Sequence, residues 1–453
     1  MDTSIFREYD IRGVYPTQVN EDVAYTIGRS YGSYIQEKLK RTICGVGRDN
    51  RLSSPALSEK LIQGITDSGC NVIDFGLVTT PMYYYACLKS NVIIGVMVTA
   101  SHNPKDDNGF KFSFDPYGNA RGEQVYDFRD YTLEGKFLSG KGEVTEFDPK
   151  DYYKSFIKEN IEMGDRKLKV VLDCGNGTTS LFAKDIYSQF DNLDITMICD
   201  ESDATFPNHH PDPAVEANNK MLKDKVLEIG ADIGIGFDGD GDRVGVVNEK
   251  GEMMFSDMVM LAIIRAINDT VSKREYLYDV KCSKALEDEI IKLGGTPICY
   301  RVGNSWTRYA VNKNKYPFGG EYSGHMYFTD RWPGIDSGFY NGLRILEILS
   351  KTDKTTSELI SGINKYYSTE ELKIHVDDDK KFDVVKKVIE YVKSKKYNYL
   401  DVDGVRVLFD DGWALVRASN TGPNLTIRFE ANSELRLAEI QKEFTDLIHN
   451  YIH

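Results

Sequence analysis

The sequence lacks the features that mark membrane and secreted proteins. No apolar run approaches the roughly 18 residues that a membrane-spanning helix requires. Residues 1–8 (MDTSIFRE) show no basic segment followed by an apolar one, which argues against a secretory signal. We therefore predict no membrane partner.

Cysteine pairs and an excess of positive charge are also missing. The seven cysteines are scattered and include no Cys-x-x-Cys pair, which indicates reduced core thiols in a cytoplasmic protein. The net charge of -14 leaves no excess of Lys and Arg to neutralise a nucleic-acid backbone. We predict no nucleic-acid partner, and any anionic substrate must bind in a local cationic pocket.

What is present is an ordinary globular composition, 41% hydrophobic and 28% charged, over 453 residues. Helical periodicity alternating with short apolar runs predicts an α/β protein with three α/β domains containing mixed sheets. The order of elements changes near position 368, which predicts a smaller C-terminal α+β domain. The predicted domains span residues 1–149, 150–253, 254–367 and 368–453. No low-complexity linker separates them, so we expect them to pack on one another.

A serine loop is the first candidate site. The apolar, β-branched residues 91–98 predict a buried strand, and residues 99–104 (TASHNP) follow it. Because ligands in open α/β sheets bind beyond the carboxyl ends of strands, Ser101 is well placed to act as a phosphoserine. The alternative is a turn serine whose hydroxyl bonds its own backbone.

An acidic loop at residues 238–243 (DGDGDR) is the most specific pattern in the chain. Asp238, Asp240 and Asp242 are separated by glycines, so their carboxylates can converge on one hard cation such as Mg²⁺ or Ca²⁺. Three protein ligands leave room for a phosphate or water, and the adjacent Arg243 suits a phosphoryl group.

Two other structures would produce a similar acidic pattern. Glu249 falls at the twelfth position of an EF-hand loop, but Arg243 occupies the sixth position, where that loop requires glycine. A solvated acidic turn would bunch three like charges with no cation to offset their repulsion. We therefore favour a cation site between two strands.

A third loop, residues 319–325 (GGEYSGH), carries donors and acceptors suited to sugar hydroxyls on Glu321, Ser323 and His325. A tight turn with a capping glutamate would give the same pattern. The fourth loop, residues 417–424 (RASNTGPN), supplies an arginine, two hydroxyls and an amide without any acid. That composition predicts a phosphate cradle, and a polar hairpin turn is the alternative.

Adjacent histidines in residues 206–213 (FPNHHPDP) suggest a metal site. Neighbouring residues rarely chelate one ion, and the prolines favour a rigid loop, so His209 and His210 do not by themselves predict one. The four other loops together predict phosphoryl transfer between a phosphoserine and a sugar phosphate, assisted by a divalent cation.

These motifs, with residues 6–13 (FREYDIRG), resemble the α-D-phosphohexomutase family, in particular its bacterial phosphomannomutase/phosphoglucomutase branch. The resemblance covers nearly the whole chain and includes residues 206–213 and 428–431. It implies four domains around a central cleft. It also implies an enzyme, monomeric or homodimeric, that interconverts mannose or glucose 1- and 6-phosphates, with hexose 1,6-bisphosphate as intermediate and activator.

The same resemblance implies roles for individual residues. The active enzyme would carry phosphate on Ser101, with Mg²⁺ held by that phosphate, Asp238, Asp240 and Asp242. Proton transfer would involve Lys111 or Arg12, and His102 would either position the serine loop or be purely structural. Residues expected to bind substrate are Tyr9, Arg243, Lys281, Glu321, Ser323, His325, Arg417, Ser419, Asn420, Thr421 and Arg428.

The chain departs from the family pattern at two places. Many relatives have histidine within the segment that reads Val302-Gly303-Asn304-Ser305 here, and Asn304 does not titrate near neutral pH. Tyr322 replaces a residue that is often methionine, which predicts a narrower pocket. Two alternative functions are a phosphoglucosamine mutase, disfavoured by the Ser-Asn-Thr phosphate loop, and a non-catalytic sugar-phosphate sensor.

Overall fold

In the computed structural model the chain is described over residues 1–377, 379–419 and 422–452. These residues form four sheets, three of them mixed and each accompanied by helices, and a fourth that is antiparallel. The predicted fold class, three α/β domains and a smaller α+β domain, is therefore confirmed. Short 3-10 helices occur at Thr3–Ile5, Thr178–Leu181, Glu216–Asn219 and Ser357–Ile360.

The first sheet has the order β1-β5-β4-β2-β3-β6. Its strands are β1 (Ile11–Val14), β2 (Ile43–Arg48), β3 (Asn71–Leu77), β4 (Gly95–Val98), β5 (Asp107–Phe112) and β6 (Val144–Glu146), and its helices are α1 (Glu21–Leu39), α2 (Ser54–Asp67), α3 (Thr80–Lys89) and α4 (Glu123–Glu134). The strand predicted over residues 91–98 begins only at Gly95. Asn91 has a left-handed backbone, with φ of 54°, so the chain is still turning away from α3 at that point.

The second sheet has the order β11-β10-β9-β7-β8. Its strands are β7 (Leu168–Asp173), β8 (Leu193–Ile198), β9 (Ile233–Phe237), β10 (Val244–Asn248) and β11 (Met253–Met254), and its helices are α5 (Lys150–Glu159), α6 (Ala183–Tyr187) and α7 (Lys220–Ile229). The acidic loop joins β9 to its antiparallel neighbour β10. Strands on both sides exclude the helix–loop–helix of an EF-hand.

The third sheet has the order β13-β12-β14-β15. Its strands are β12 (Glu275–Asp279), β13 (Thr296–Tyr300), β14 (Phe318–Gly320) and β15 (Met326–Phe328), and its helices are α8 (Ser256–Ile267), α9 (Lys284–Lys292), α10 (Asn304–Asn314) and α11 (Gly338–Ser350). Because β14 and β15 pair directly, the loop that joins them, which carries the sugar-loop residues, is held at the sheet end.

The fourth sheet is a curled antiparallel layer of β16 (Tyr367–Ser368), β17 (Leu372–His375), β18 (Asn398–Leu400), β19 (Val405–Phe409), β20 (Gly412–Ala418) and β21 (Asn424–Ala431), covered by α12 (Lys381–Ser394) and α13 (Glu434–Ile452). Strand β19 begins directly after Gly404, which takes a positive φ of 73°. Arg417, the first residue of the predicted phosphate loop, lies on β20.

One apolar core runs through the first three units. It contains Tyr83 and Tyr85 of α3, Tyr153 of α5, Tyr187 of α6 and Phe339 of α11, all buried. The expected packing of these units on one another therefore follows from a shared core. The fourth unit has its own core beneath α12 and α13. Among the described residues, no helix combines the length and apolar character needed to span a membrane.

Candidate active site

The serine loop follows β4 and is held by a buried arginine. The guanidinium of Arg51 donates to four carbonyl oxygens of this segment, at Ser101 (2.8 Å), Asn103 (2.7 Å), Pro104 (2.6 Å) and Asp107 (2.9 Å). Its Nε lies 3.4 Å from Asp49. Ser101 itself has a left-handed φ of 49°, a conformation that a non-glycine residue keeps only when its surroundings enforce it.

The Ser101 hydroxyl faces the acidic loop of the second unit. Its Oγ donates a 2.8 Å hydrogen bond to Asp238 Oδ2. Close approach of the two loops requires Gly239, since a Cβ there would lie 2.6 Å from the Ser101 carbonyl oxygen. Thr80 and Thr99 fix Asp240 by donating to its Oδ2 at 2.7 and 3.1 Å.

The three acidic side chains form a cluster that fits a divalent cation. Asp238, Asp240 and Asp242 are fully buried and can each offer one oxygen within 4.8 Å of the others. Within the described part of the chain, Oδ1 of Asp240 and Oδ1 of Asp242 have no hydrogen-bond partner. Burial, with Asp242 and Asp240 nearby, raises the pKa of Asp238 well above its usual value. Buried oxygens without a hydrogen-bond partner are unfavourable, and carboxylates this close repel one another. A hard cation bound between them would relieve both effects.

Lys111, on β5, supplies one positive charge to this cluster. Its Nζ donates to Oδ2 of Asp240 at 2.8 Å and to Oδ2 of Asp242 at 2.6 Å. Burial alone would lower the pKa of Lys111, but the two carboxylates outweigh it and raise that pKa well above its usual value. The ammonium is therefore charged at neutral pH.

His102 and Arg12 flank the serine. His102 Nδ1 lies 3.2 Å from Ser101 Oγ, and burial together with Arg243 and Arg12 lowers the pKa of His102 well below its usual value. Its ring is therefore neutral. Arg12 donates to Asn103 at 2.7 Å and to Asp10 at 2.7 Å, so it is fixed against the serine loop.

A chain of polar contacts links the acidic loop to the sugar loop. Arg243 Nε donates to His325 Nε2 at 3.0 Å, so the ring proton lies on Nδ1, which faces Asp336 at 3.1 Å. His325 Nδ1 is also 3.6 Å from Asp242. His325 is only 2% exposed, so its ring lies behind the acidic loop. Sequence reasoning missed Asp336, which has no motif of its own.

Glu321 of the sugar loop lies beside α10. Glu321 is buried and accepts from the backbone N–H of Gly303 at 2.6 Å, and burial raises the pKa of its carboxyl group. Ser323 is half-buried. Tyr9 packs close to Gly303, and burial raises the pKa of its phenol to about 12.

The third and fourth units contribute buried cations held by carboxylates. Arg417 Nε donates to Asp403 at 3.0 Å, and Lys281 of the third unit pairs with Glu371 at 3.1 Å. Ser419 is buried next to Arg417. Asn420 and Thr421, which the sequence also predicts to bind phosphate, lie outside the described residues.

Arg428 is placed differently from the other predicted substrate-binding cations. It is 3% exposed, donates to the carbonyl oxygens of Lys281 and Thr369, and stacks 4.0 Å from the centre of the Tyr322 ring. These contacts join the third and fourth units. Its role toward substrate stays a prediction.

A cavity of about 720 Å³ lies among the first, third and fourth units. Its lining includes Glu8, Arg121, Arg301, Trp306 and Asp403. Glu8 accepts from both Arg301 at 2.5 Å and Trp306 at 3.1 Å, which brings the amino-terminal segment against α10. Sequence reasoning missed this group, because only tertiary structure brings its members together.

Four family models match the chain in order. They are described as Phosphoglucomutase/phosphomannomutase alpha/beta/alpha domains I, II and III and the C-terminal domain, and they match residues 3–126, 150–251, 255–366 and 371–447. Together they cover most of the sequence. The exact domain boundaries stay a prediction.

Known proteins are similar over nearly their whole length. A phosphomannomutase/phosphoglucomutase of Pseudomonas syringae pv. tomato is 41% identical, with 97% of this chain and 94% of that protein covered. A phosphoglucomutase of Neisseria meningitidis is 37% identical, with 98% and 96% covered. The crystal structure of a phosphoglucomutase/phosphomannomutase family protein from Burkholderia thailandensis has a TM-score of 0.92 and 34% identity, covering 100% of this chain and 98% of that one.

The fold and the site thus define an enzyme of the phosphotransferring mutase class. The chain belongs to the phosphoglucomutase/phosphomannomutase family.

Proposed function

We propose that this protein is a phosphohexomutase that interconverts the 1- and 6-phosphates of mannose, glucose or both. The observation that carries the proposal is the Ser101 hydroxyl, 2.8 Å from Asp238 within a cluster of three buried aspartates. A hydroxyl held beside a cation site is the arrangement that phosphoryl transfer requires.

Ser101 is the residue that carries the phosphoryl group between turnovers. In the forward half-reaction the P–O bond to Ser101 Oγ breaks and a new P–O bond forms to the free sugar hydroxyl, whose proton is released. The product is a hexose 1,6-bisphosphate. After reorientation its other phosphoryl group returns to Ser101 Oγ, so the enzyme is regenerated and the phosphate has changed position on the sugar.

Asp238, Asp240 and Asp242 are the residues proposed to hold Mg²⁺, together with the phosphate on Ser101. Their all-oxygen donor set suits that ion, which would neutralise negative charge on the transferring phosphoryl group. Lys111, charged and in contact with two of these carboxylates, is the proposed acid for the departing serine oxygen. Arg12 is the second candidate, and neutral His102 is proposed to position Ser101.

The substrate is proposed to lie between the sugar loop and the fourth unit. Glu321 and Ser323 would bind sugar hydroxyls, with His325 supporting the loop from behind. The non-reacting phosphate would meet Arg417, Ser419, Asn420 and Thr421. The further residues proposed to bind substrate are Tyr9, Arg243, Lys281 and Arg428. The cations among these residues supply a local positive field in a chain whose net charge is -14.

Cytoplasmic location and a monomeric or homodimeric state complete the proposal. All seven cysteines are free thiols, six of them buried, which is typical of a reducing compartment. The hexose 1,6-bisphosphate is proposed to activate the enzyme by phosphorylating Ser101.

Coupled assays test this proposal. Purified protein with Mg²⁺ and a catalytic amount of glucose 1,6-bisphosphate is given glucose 1-phosphate, mannose 1-phosphate or glucosamine 1-phosphate. We expect turnover of glucose 1-phosphate, mannose 1-phosphate or both. Turnover of glucosamine 1-phosphate alone would identify a phosphoglucosamine mutase. Binding of these sugar phosphates without any turnover, by protein whose intact mass shows no removable phosphoryl group, would identify a sensor.

A further inference from the structure

A second group of metal-ligand side chains lies apart from the aspartate cluster. Asp173 ends β7, Cys199 follows β8, and His209 lies in the loop of residues 206–213. One ligand atom from each lies within 4.8 Å of the other two. The proposed phosphoryl transfer makes no use of these three residues.

Hydrogen bonding fixes the orientation of the His209 ring. Nδ1 lies 3.0 Å from the carbonyl oxygen of His210, and because a carbonyl only accepts, Nδ1 carries a proton. Nε2 lies 3.1 and 3.0 Å from the two carboxylate oxygens of Asp173. In a neutral ring the Nε2 lone pair would therefore face a carboxylate, so a positive species is needed between them.

A proton is one such species. With that proton present, Nε2 and Oδ2 of Asp173 form an ion pair at 3.0 Å. A metal ion is the other. A histidine whose Nδ1–H is held by a backbone carbonyl while Nε2 points at further ligands has the usual arrangement of a metal-bound histidine.

We propose that Asp173, Cys199 and His209 bind a divalent transition-metal ion such as Zn²⁺. One oxygen, one sulfur and one imidazole nitrogen match the donors that zinc accepts, whereas Mg²⁺ prefers oxygen alone. Binding releases the Nε2 proton of His209 and the thiol proton of Cys199 to solvent. Three protein ligands leave a fourth position for water.

The bound ion would anchor a loop that contacts the acidic loop and the arginine that holds the serine loop. The Phe206 ring lies 5.5 Å from the guanidinium of Arg51, which holds the serine loop. Asp212 lies 3.8 Å from Arg243 of the acidic loop. His209 lies between Phe206 and Asp212 in the chain. A metal ion bound at His209 would therefore hold this loop in place from outside the cleft.

Cobalt titration tests the site, because Co²⁺ replaces Zn²⁺ and its thiolate complexes have a sulfur-to-metal charge-transfer band. Metal-free protein is titrated with Co²⁺ in excess Mg²⁺, which keeps the aspartate cluster filled. We expect the band to appear in the wild-type protein, to disappear when Zn²⁺ displaces Co²⁺, and to be absent in Cys199→Ser. In His209→Gln the apparent Co²⁺ affinity should fall at least about 10-fold.

Matched controls are available in the same chain. Cys299→Ser removes the half-buried cysteine of the third unit, and His210→Gln removes the exposed neighbouring imidazole. Both should retain the band. A band that persists in Cys199→Ser, or no band in the wild-type protein, would overturn the proposal. If Cys199→Ser fails to fold, the His209→Gln and Asp173→Asn titrations decide the question, and unchanged affinity in both would overturn it.

Discussion

The ammonium of Lys111 lies 2.6 Å from a carboxylate oxygen of Asp242, although 131 residues separate them in the chain. Lys111 contacts Oδ2 of Asp242 and Oδ2 of Asp240, whereas Oδ1 of each has no hydrogen-bond partner within the described residues. The lysine therefore occupies one oxygen of each carboxylate. Oδ1 of Asp240 is left for a cation, and Oδ1 of Asp242 lies 3.6 Å from His325 Nδ1. The lysine also offsets part of the negative charge of the buried cluster.

Replacing Lys111 by methionine should make stability depend more strongly on Mg²⁺. Without the ammonium, the buried aspartates lose a contacting positive charge and keep Arg243, 3.8 Å from Asp238, so the folded state needs the bound cation more. We expect Mg²⁺ to raise the Tm of Lys111→Met more than that of the wild type, and turnover to fall by about 100-fold or more. Thermal scans with and without Mg²⁺ measure this. Lys105→Met, a change at an exposed lysine, is the control and should respond to Mg²⁺ like the wild type. An equal rise of Tm with Mg²⁺ in Lys111→Met and the wild type would contradict the account.

Asp240→Asn should weaken cation binding and catalysis together. The substitution keeps the shape of the side chain but removes its charge, and Oδ1 of Asp240 is one of the two orphaned oxygens. We expect Mg²⁺ affinity to fall by more than about 10-fold and turnover by about 100-fold. Calorimetric Mg²⁺ titration and steady-state rates provide the measurements. Asp194→Asn, an exposed change in the same unit, should alter neither, and normal Mg²⁺ affinity in Asp240→Asn would exclude that residue as a ligand.

Arg51→Lys should disorganise the serine loop. The planar guanidinium reaches four carbonyl oxygens at 2.6–2.9 Å, a geometry that a single ammonium cannot reproduce. We expect a loss of about 2–4 kcal/mol in the free energy of unfolding and a lower kcat with a smaller change in KM. Denaturant unfolding and kinetics test both. Arg48→Lys, nearby and half-buried, should behave like the wild type, and the same result for Arg51→Lys would refute the assigned role.

His209 predicts a specific pH dependence of stability in metal-free protein. Although burial of the ring opposes its charge, hydrogen bonds to Asp173 and Cys199 raise the pKa of His209 from 6.5 to about 10 in the folded state. The stabilisation that the charged ring gives the folded state is therefore complete below pH 6.5 and is lost as pH rises toward 10. The groups facing the ring are Asp173 and Cys199. The Tm difference between wild type and His209→Gln, measured with a chelator present, should shrink across this range. A difference that stays constant or grows would show that the ring is neutral.

The sequence was sufficient to predict the fold class and the pairing of Ser101 with the acidic loop. Each proposed loop follows an apolar strand. Ligands in open α/β sheets bind beyond the carboxyl ends of strands, and that rule indicated where these loops would lie. The spacing of Asp238, Asp240 and Asp242 was informative because glycines between them let three carboxylates converge.

The supporting residues could not be predicted in the same way. Arg51 acts on a loop 50 residues later, and Asp336, just before α11, meets His325 across the strand β15 that separates them in the chain. His209 has a local motif, but its partners lie elsewhere in the chain, Asp173 at the end of β7 and Cys199 directly after β8. Such contacts depend on tertiary packing, and the residues that make them belong to no recognisable sequence motif together.

The most direct test of the central claim is the intact mass of the protein after incubation with glucose 1,6-bisphosphate and Mg²⁺. The wild type and Ser272→Ala, an exposed loop serine, should each gain the mass of one phosphoryl group. Ser101→Ala should gain none and should lose nearly all turnover while keeping its fold, because Ser101 lies in a loop. Labelling of Ser101→Ala to the wild-type level would contradict the role given to this hydroxyl.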